Sequence, residues 1–331
     1  MAQKDTNPYI YSDSNKRYMT YDWYMKTRFG GKVAKVPLDA GFTCPNKDGS
    51  RGTGGCIFCL AGSSSSRGRS LAEQYEDGVR TASRKWKPAG FIPYLQANTN
   101  TYSDAGTLER VWKEASSMQG ALMLDIATRA DCLPEYVLSL IAAVSGSIPV
   151  TVELGLQSSD DGTAGLINRC HTFAEFTEGY GKLKELADTV NPEYPAEGRF
   201  AFMSKRITVC VHIINGLPGE DRETMMKTAR DVAALKPDMV KIHLLHVLRG
   251  TELERMYLSG GYEPMSSMEY VSVTCDQLEV LPAETCIARI TGDAPEGKLV
   301  APLWSRKKTQ VTNDIDKELF RRGSWQGKLA R

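Results

Sequence analysis

The chain has 331 residues, of which 41% are hydrophobic and 24% charged, and this composition excludes a disordered or fibrous protein. No apolar run approaches the ~18 residues of a membrane span, and residues 1–30 lack the apolar stretch of a secretory signal. Eight cysteines are too few for a disulfide scaffold. We therefore expect a cytoplasmic protein without a membrane partner, in which neighbouring cysteines indicate a metal site.

The charge is nearly balanced overall, at a formal +1, but it is unevenly distributed along the chain. Residues 298–331 carry a net charge of +6, and the remaining 297 residues carry −5. A basic tail of this kind is suited to a phosphate-rich partner, and a solvated helical face is the alternative interpretation.

Strand-like and helix-like patterns alternate along the chain. Short apolar runs predict strands at residues 33–38, 91–97, 121–127, 150–156, 207–215 and 239–248. The intervening patterns predict helices at residues 71–87, 107–119, 135–144, 173–187 and 222–235. These six βα units predict a parallel sheet, but they are too few for a closed eight-stranded barrel. The expected fold class is therefore α/β, a partial (β/α)6 barrel of the TIM type with a C-terminal α/β extension.

Three regions follow from this pattern. Residues 1–32 are rich in aromatic side chains, which suit either a packing layer against the barrel or the stacking of bases. Residues 33–250 form the barrel, in which the serine run at 63–66 is expected to be a loop. Residues 251–331 form the extension that carries the basic tail.

The strand predicted at residues 150–157 shows which residue types face the interior of the barrel. Its even positions are large and apolar, whereas its odd positions are Thr151, Glu153, Gly155 and Gln157. Successive side chains of a strand point to opposite faces, so the odd positions share one face. A carboxylate on an interior face is costly unless it is hydrogen-bonded or contacts a ligand, and near the carboxyl end of a barrel strand we expect a ligand.

Three cysteines follow the first predicted strand with the spacing C-x11-C-x2-C, at Cys44, Cys56 and Cys59. Three thiolates on one glycine-rich loop suit an iron–sulfur cluster with one open iron. A zinc loop that borrows a distant ligand and three unrelated core thiols are the alternatives. The other cysteines stand singly at positions 132, 170, 210, 275 and 286, which is typical of small buried core residues.

The cysteine loop and several further motifs resemble the radical S-adenosylmethionine (SAM) superfamily. The resemblance is to the YhcC/YtqA-like radical SAM proteins, within the branch that includes the Elongator catalytic subunit, and it covers the chain almost end to end. It is carried by VPLDAGFTCPN (36–46), LQANTNTY (95–102), TRADCLP (128–134), ELGLQS (153–158), GLPGE (216–220), KIHLLH (241–246) and RGSWQGK (322–328).

This resemblance implies that Cys44, Cys56 and Cys59 bind three irons of a [4Fe–4S] cluster and that SAM binds the fourth. Reductive cleavage of SAM then yields a 5′-deoxyadenosyl radical. Superfamily members usually hold the SAM amino group with Gly-Gly-Glu after the second strand, where this sequence has Gln96 and Asn98 around an alanine. The resemblance therefore assigns these two residues to SAM.

Further SAM contacts are implied after the later strands. Glu153 and Gln157 match positions that meet the ribose and methionine of SAM. Arg129 is suited to the SAM carboxylate, with a surface ion pair as the alternative. Gly216 and Leu217 match a contact with adenine, although the bare sequence also fits a simple turn.

The resemblance implies a tRNA substrate, modified on the side chain of the wobble uridine, and an electron donor such as flavodoxin or ferredoxin. Two alternatives remain open: a small-molecule or protein substrate, and a non-enzymatic, zinc-stabilised nucleic-acid-binding protein. His243 and His246 lie at odd and even positions of the last predicted strand and therefore face different ways. No catalytic residue is assigned from the sequence.

Overall fold

The computed structural model describes residues 7–60, 68–191 and 200–330, so the serine run at 63–66 lies outside the described residues. Strands and helices alternate as expected. The strands are β1 Val33–Leu38, β2 Gly90–Leu95, β3 Leu124–Thr128, β4 Val150–Gln157, β5 Ile207–Asn215, β6 Met239–Leu244, β7 Val247–Leu248, β8 Cys286–Arg289 and β9 Leu299–Ala301.

Ten α-helices occur in the described residues. They are α1 Tyr21–Phe29, α2 Leu71–Lys85, α3 Ala105–Ser116, α4 Glu135–Ser147, α5 Asp161–Leu166, α6 Phe173–Val190, α7 Arg222–Leu235, α8 Glu252–Leu258, α9 Ser267–Val280 and α10 Lys308–Arg321. Helices α2, α6 and α9 each begin with a capping box, in which a serine or threonine and a glutamate three residues later satisfy each other's backbone N–H groups.

Seven strands form one parallel sheet in the order β1-β2-β3-β4-β5-β6-β8. The sheet curls into a half-barrel whose two edge strands, β1 and β8, do not pair with each other. This architecture confirms the predicted partial barrel of six βα units. The extension adds β8 as a seventh strand, and an isolated parallel bridge joins its Ile287 to Thr20, just before α1.

The predicted strand at 239–248 is wrong in its second half. Strand β6 ends at Leu244, and after two residues β7 pairs antiparallel with β9 instead of extending the sheet. The chain beyond β6 therefore contributes β7 to a separate two-stranded antiparallel sheet with β9, past the carboxyl edge of the half-barrel. Periodicity alone could not show this break, because the partner strand lies about 50 residues further along the chain.

The side chains that face the interior form layers along the strands. At the amino end the layer is apolar, with Val33, Ile92, Met123, Met239 and Cys286 in one cluster. The next layer is charged, with Lys35, Tyr94, Asp125, Glu153 and Lys241 in mutual contact. The alternate residues of these strands pack outward against the helices in the main core. The alternation predicted for β4 is therefore present.

The amino end of the half-barrel is covered by both ends of the chain. Tyr9 and Tyr11 share the apolar cluster of the lowest interior layer, which accounts for the aromatic side chains of this segment by packing. The fully buried side chain of Gln326 accepts a hydrogen bond from the Met19 N–H (2.9 Å) and donates to the carbonyl oxygens of Pro282 and Thr285 (both 2.7 Å).

The basic tail is partly neutralised by acidic residues that precede it in the extension. Arg322 pairs with Asp276 (2.6 Å), and Lys308 pairs with Asp293. Arg306 and Lys307 are exposed and have no ion pair among the described residues. The excess charge of +6 in the sequence therefore overstates the charge that this surface presents.

Trp304 does not offer a free stacking surface beside these cations. Its indole N–H donates to the Met265 carbonyl (3.0 Å), and its ring lies 5.8 Å from the ring of Tyr270. Trp325 packs at the opposite, amino end of the half-barrel. Both tail tryptophans are thus explained by packing.

Candidate functional site

The expected site residues gather at the carboxyl edge of the half-barrel, with one exception. The cysteine loop follows β1, Gln96 and Asn98 follow β2, Arg129 follows β3, Gln157 ends β4, and Gly216 and Leu217 follow β5. Glu153 lies four residues before the end of β4, within the charged layer. Ligands of parallel α/β folds bind at the carboxyl edge, so this is where we expect cofactor and substrate.

The cysteine loop is held by backbone hydrogen bonds. The N–H groups of Lys47 and Cys59 donate to the carbonyl oxygens of Cys44 and Cys56, both at 2.8 Å. The Asn46 side chain donates to the Cys56 sulfur at 3.6 Å. This N–H donor lowers the pKa of the Cys56 thiol and so partly opposes the burial that disfavours a thiolate there.

A second segment fixes the loop from the far side. The Asn168 amide donates to the carbonyl oxygens of Gly55 (2.8 Å) and Thr53 (3.1 Å), and the Asn46 amide donates to the Asn168 carbonyl. The Ile57 N–H donates to the Ile167 carbonyl at 3.2 Å. The loop is therefore anchored to the turn after α5, a contact that the sequence did not predict.

The three thiols lie close enough to influence one another electrostatically. Burial raises the pKa of the Cys56 thiol to about 12, the charges of Cys59 and Cys44 add to this, and Arg129 opposes it. Three anionic sulfurs crowded in this way are stabilised by a positively charged metal centre. The donor set is thus suited to a metal and costly without one.

Among the described residues, Glu153, Cys210 and His212 each bring one ligand atom within 4.8 Å of the other two. The three loop sulfurs do not all lie that close together.

Two of the remaining cysteines, Cys132 and Cys170, lie beside this loop. Cys170 is not the small buried core residue that the sequence predicts. Cys210, Cys275 and Cys286 are fully buried, and Cys132 nearly so. Cys170 is only partly buried and has a left-handed backbone, with φ of 59°. Its sulfur would lie 2.7 Å from a Cβ at position 52, so Gly52 is required for this close approach.

Arg129 is engaged by the protein itself. Its guanidinium forms a bidentate pair with Asp131 (2.8 and 2.9 Å) and donates to the Arg169 carbonyl (2.8 Å). Asp131 also receives Arg51 of the cysteine loop, at 3.2 Å. Arg129 forms the ion pair that was the alternative interpretation, but the pair is buried rather than on the surface. It leaves few N–H groups for the carboxylate of a ligand.

Gln96 and Asn98, the two amide side chains that follow β2, differ in their contacts. Asn98 donates to the Phe42 carbonyl (2.9 Å) and accepts from the Lys47 ammonium (2.8 Å), so it joins β2 to the cysteine loop. Gln96 is exposed. Gln96 therefore has its amide free for a ligand, whereas Asn98 contributes by positioning the loop.

Gln157, Gly216 and Leu217 line the edge further around the sheet. Gln157 has φ of 69°, and its amide folds so closely over Gly155 that a Cβ there would meet it at 2.8 Å. The Gly216 carbonyl accepts a hydrogen bond from the Tyr262 hydroxyl at 2.7 Å. Leu217 is buried in the apolar cluster beneath β7.

Glu153 is surrounded by basic side chains from β1, β5 and β6. Its carboxylate accepts from Lys35 (2.7 Å), Lys241 (2.5 Å) and the Nε2 atom of His212 (3.0 Å). Burial alone would raise the pKa of Glu153, but Lys35 and Lys241 hold that pKa well below its usual range. Both oxygens are thus occupied by the protein, and a contact between Glu153 and SAM stays a prediction.

Sequence reasoning missed the other members of the charged layer. Lys35 is a single cation in the short apolar strand β1, and Asp125 and His212 occupy interior positions of β3 and β5. The signal was present, since each alternates with large apolar residues as Glu153 does. The same alternation on β1, β3 and β5 therefore predicts interior positions for Lys35, Asp125 and His212.

Comparisons with known proteins agree with this arrangement. The Radical_SAM C-terminal domain model matches residues 237–321. The chain is 42% identical over 327 residues to the protein YtqA of Bacillus subtilis, covering 98% of this chain and 96% of that relative. It is 26% identical over 201 residues to the tRNA uridine(34) acetyltransferase of Methanocaldococcus jannaschii, covering 60% of this chain and 33% of that protein.

The fold is also found among solved structures. The archaeal Elp3 of Methanocaldococcus infernus, solved with an N-terminal deletion, has a TM-score of 0.65 at 19% identity, and the match covers 89% of this chain and 64% of that chain. A parallel half-barrel with a three-cysteine loop at its carboxyl edge defines an enzyme of the radical SAM superfamily. Within that superfamily, the chain belongs to the YhcC/YtqA-like family. No helix in the described residues is long and apolar enough to cross a membrane.

Proposed function

We propose that this enzyme holds a [4Fe–4S] cluster on Cys44, Cys56 and Cys59 and cleaves SAM reductively to modify the wobble-uridine side chain of tRNA. When bound, the cluster supplies the electron that breaks a carbon–sulfur bond of SAM and so generates a 5′-deoxyadenosyl radical. The observation that carries the proposal is the anchored three-cysteine loop at the carboxyl edge of a half-barrel.

The residues around the loop have separate tasks in this proposal. Gln96, which is exposed, and Gln157, which is half-buried, offer their amides to SAM from two sides of the edge. Gly216 and Leu217 are both buried, so in this proposal they lie beneath the adenine and support its site. Arg129 and Asn98 hold the loop, since their groups are already bonded to Asp131 and Lys47. The chain thereby orients the cofactors and shields the reactive centre from water.

The tRNA substrate is supported by likeness to the tRNA uridine(34) acetyltransferase and by exposed cations near the site. Arg306 and Lys307 follow β9, which pairs with β7 just past the carboxyl edge, and both lack an ion pair among the described residues. Phosphate contacts of this kind position a nucleic acid without reading its bases. A cytoplasmic location and an electron donor such as flavodoxin or ferredoxin complete the proposal.

The cluster is tested by reconstituting the purified protein with iron and sulfide without oxygen. We expect about four irons per chain and a broad absorbance near 400 nm, characteristic of iron–thiolate bonds. Each of Cys44→Ala, Cys56→Ala and Cys59→Ala should abolish the absorbance. Cys275→Ala, a matched change at a fully buried thiol, should retain it. One zinc and no colour would support the zinc-stabilised binding protein instead.

The substrate is tested by comparing the modified nucleosides of tRNA in strains with and without the gene. We expect one wobble-uridine derivative to disappear on deletion and to return with the wild-type gene, but not with Cys56→Ala. Unchanged tRNA nucleosides, with SAM cleavage intact in the purified enzyme, would favour a small-molecule or protein substrate.

A further inference from the structure

Two histidines lie in the interior of the half-barrel, in the layer above the charged one. His212 on β5 and His243 on β6 face each other with their ring centroids 5.5 Å apart. Gly155 on β4 stands next to His212 in the sheet register, and the amide of Gln157 folds over it. Gly155, His212 and His243 are each half-buried, so this layer is partly exposed.

His212 is held in one orientation by the layer beneath it. Its Nε2 atom lies 3.0 Å from the carboxylate of Glu153. An ionised carboxylate only accepts hydrogen bonds, so Nε2 carries the proton and Nδ1 is left as an acceptor. Among residues 7–60, 68–191 and 200–330, nothing donates a hydrogen bond to that Nδ1 atom.

His243 is also unsatisfied within the part of the chain that the structure describes. Neither of its ring nitrogens has a hydrogen-bond partner there. Burial, aided by the charge of His212, holds the pKa of His243 well below its usual range. Burial and the charge of Lys241 lower the pKa of His212 to about 4. Both rings are therefore neutral at pH 7. His243 offers one donor and one acceptor, whereas His212 offers only its Nδ1 acceptor because its N–H is bonded to Glu153.

The charged layer below the histidines balances itself. Lys35 pairs with Asp125 and Glu153, and Lys241 pairs with Glu153, so two cations meet two carboxylates. At the end of β8, Arg289 and Lys308 share the single carboxylate of Asp293, so one cation there is in excess. Within the charged layer, an anionic group would have to displace an existing partner, at a cost in desolvation and lost ion pairs. The same pairing argues against a metal on Glu153, Cys210 and His212.

We propose that His212 and His243 contact the nucleobase that carries the group attacked by the radical, through the ring nitrogens that have no partner among the described residues. The imide edge of uracil, an N–H between two carbonyl oxygens, complements one acceptor nitrogen and one donor ring. Glu153 is the positioning residue, because it acts through His212. The inference rests on the proposed function and adds the residues that receive the base.

The arrangement separates two kinds of recognition in space. The base enters the interior layer formed by His212 and His243, which we call the cup. The phosphates meet the unpaired cations outside the carboxyl edge. An enzyme acting on a base within RNA must take that base out of its stack and read its hydrogen-bonding edge. The two histidines are placed to read such an edge close to the cysteine loop.

The first test exploits the geometry of His212. His212→Gln keeps an amide where Nε2 lay, and so keeps the bond to Glu153, but it removes the acceptor at Nδ1. We expect His212→Gln and His243→Phe to retain cluster absorbance and thermal stability. Both should lose about tenfold or more of the tRNA modification restored by the wild type, the effect of one lost hydrogen bond to a buried polar group.

His246→Gln is the matched control. His246 lies two residues beyond β6, packs against Gly292 and does not enter the cup. We expect wild-type tRNA modification from this variant. If His212→Gln and His243→Phe also modify tRNA at the wild-type rate, the inference is overturned while the proposed function stands.

The second test does not depend on tRNA modification. The reconstituted protein with SAM is titrated with uridine, uridine 5′-monophosphate and inorganic phosphate. We expect uridine and its monophosphate to bind within about threefold of each other, and His212→Gln to weaken both about tenfold. Phosphate alone should not compete. A gain of more than about tenfold from the phosphate, or equal uridine binding by wild type and His212→Gln, would overturn the neutral base site, whatever the tRNA assay shows.

Discussion

The amide of Asn168 donates to the carbonyl oxygens of Thr53 and Gly55, and it thereby ties the turn after α5 to the cysteine loop. Asn168 has φ of 54°, a left-handed backbone that asparagine tolerates better than most residues. One residue thus supplies both the shape of the turn and the hydrogen bonds that hold the loop. The geometry of the thiols therefore depends on a residue more than 100 positions away.

This relationship predicts that removing the amide loosens the cluster without unfolding the barrel. Asn168→Gly keeps the left-handed backbone accessible and deletes the two hydrogen bonds to the loop, together with the one that the Asn168 side-chain oxygen accepts from the Cys170 thiol (3.2 Å). We expect a loss of stability of about 1–3 kcal/mol and faster loss of the 400 nm absorbance on exposure to a chelator. Asn168→Ala adds backbone strain and should lose more. Wild-type chelation kinetics in Asn168→Gly would show that the loop needs no such anchor.

The charged layer predicts a strong stability effect at Glu153. Glu153→Gln leaves Lys35 and Lys241 buried with fewer countercharges, and breaking a buried ion pair from one side costs about 3–5 kcal/mol. Urea unfolding should show this loss. The double variant Glu153→Gln with Lys241→Met should be less destabilised than the sum of the single variants, because the second change removes the uncompensated cation. Strict additivity would mean that the two groups do not interact.

Glu220 predicts a pH dependence of stability. Burial raises its pKa from 4.5 to about 7, and a hydrogen bond donated by Ser158 only partly opposes this. Between these values the folded state binds more protons than the unfolded state, so stability falls as pH rises from about 4.5 to about 7. Glu220→Gln mimics the protonated acid and should be more stable than the wild type at pH 8, by at most about 3 kcal/mol, and equal to it at pH 4.5.

Urea unfolding at several pH values measures this difference. Glu223→Gln is the control, because Glu223 lies three residues away on α7 and its side chain is 76% exposed. Its pH profile should match that of the wild type. If the unfolding free energies of Glu220→Gln and the wild type instead differ by the same amount at every pH from 4.5 to 8, Glu220 titrates in its normal range.

The unpaired cations after β9 predict a salt-dependent contact with tRNA. Neutralising Arg306 and Lys307 should flatten the dependence of log K on log salt by up to about two units, since each phosphate contact contributes about 0.7–0.9. Adding Lys308→Gln should contribute less, because Lys308 is already paired with Asp293. Lys317→Gln, an exposed change on α10, is the control. An unchanged slope in the double variant would remove this surface from the interface.

The sequence was sufficient for the parts of the molecule that are local. The six strands, the alternation of β4 and the position of the cysteine loop follow from patterns of a few neighbouring residues. The contacts of Arg129 and Trp304 do not follow from such patterns, because their N–H groups donate to Asp131 and to the Met265 carbonyl only in the folded chain. The formal charge of the tail differs from the charge that its surface presents for the same reason. Asp276 and Asp293, which lie outside the tail in the sequence, pair with Arg322 and Lys308.

Gln326 links the segment before α1 to the turn before β8, and this has a consequence for biosynthesis. The floor of the half-barrel cannot close until the last of these partners has left the ribosome, so the nascent chain passes through a stage with its apolar lowest layer uncovered. Contacts between residues some 300 positions apart also slow the final folding step. Expression is therefore expected to be more sensitive to chaperone supply and growth temperature than a barrel of this size would suggest.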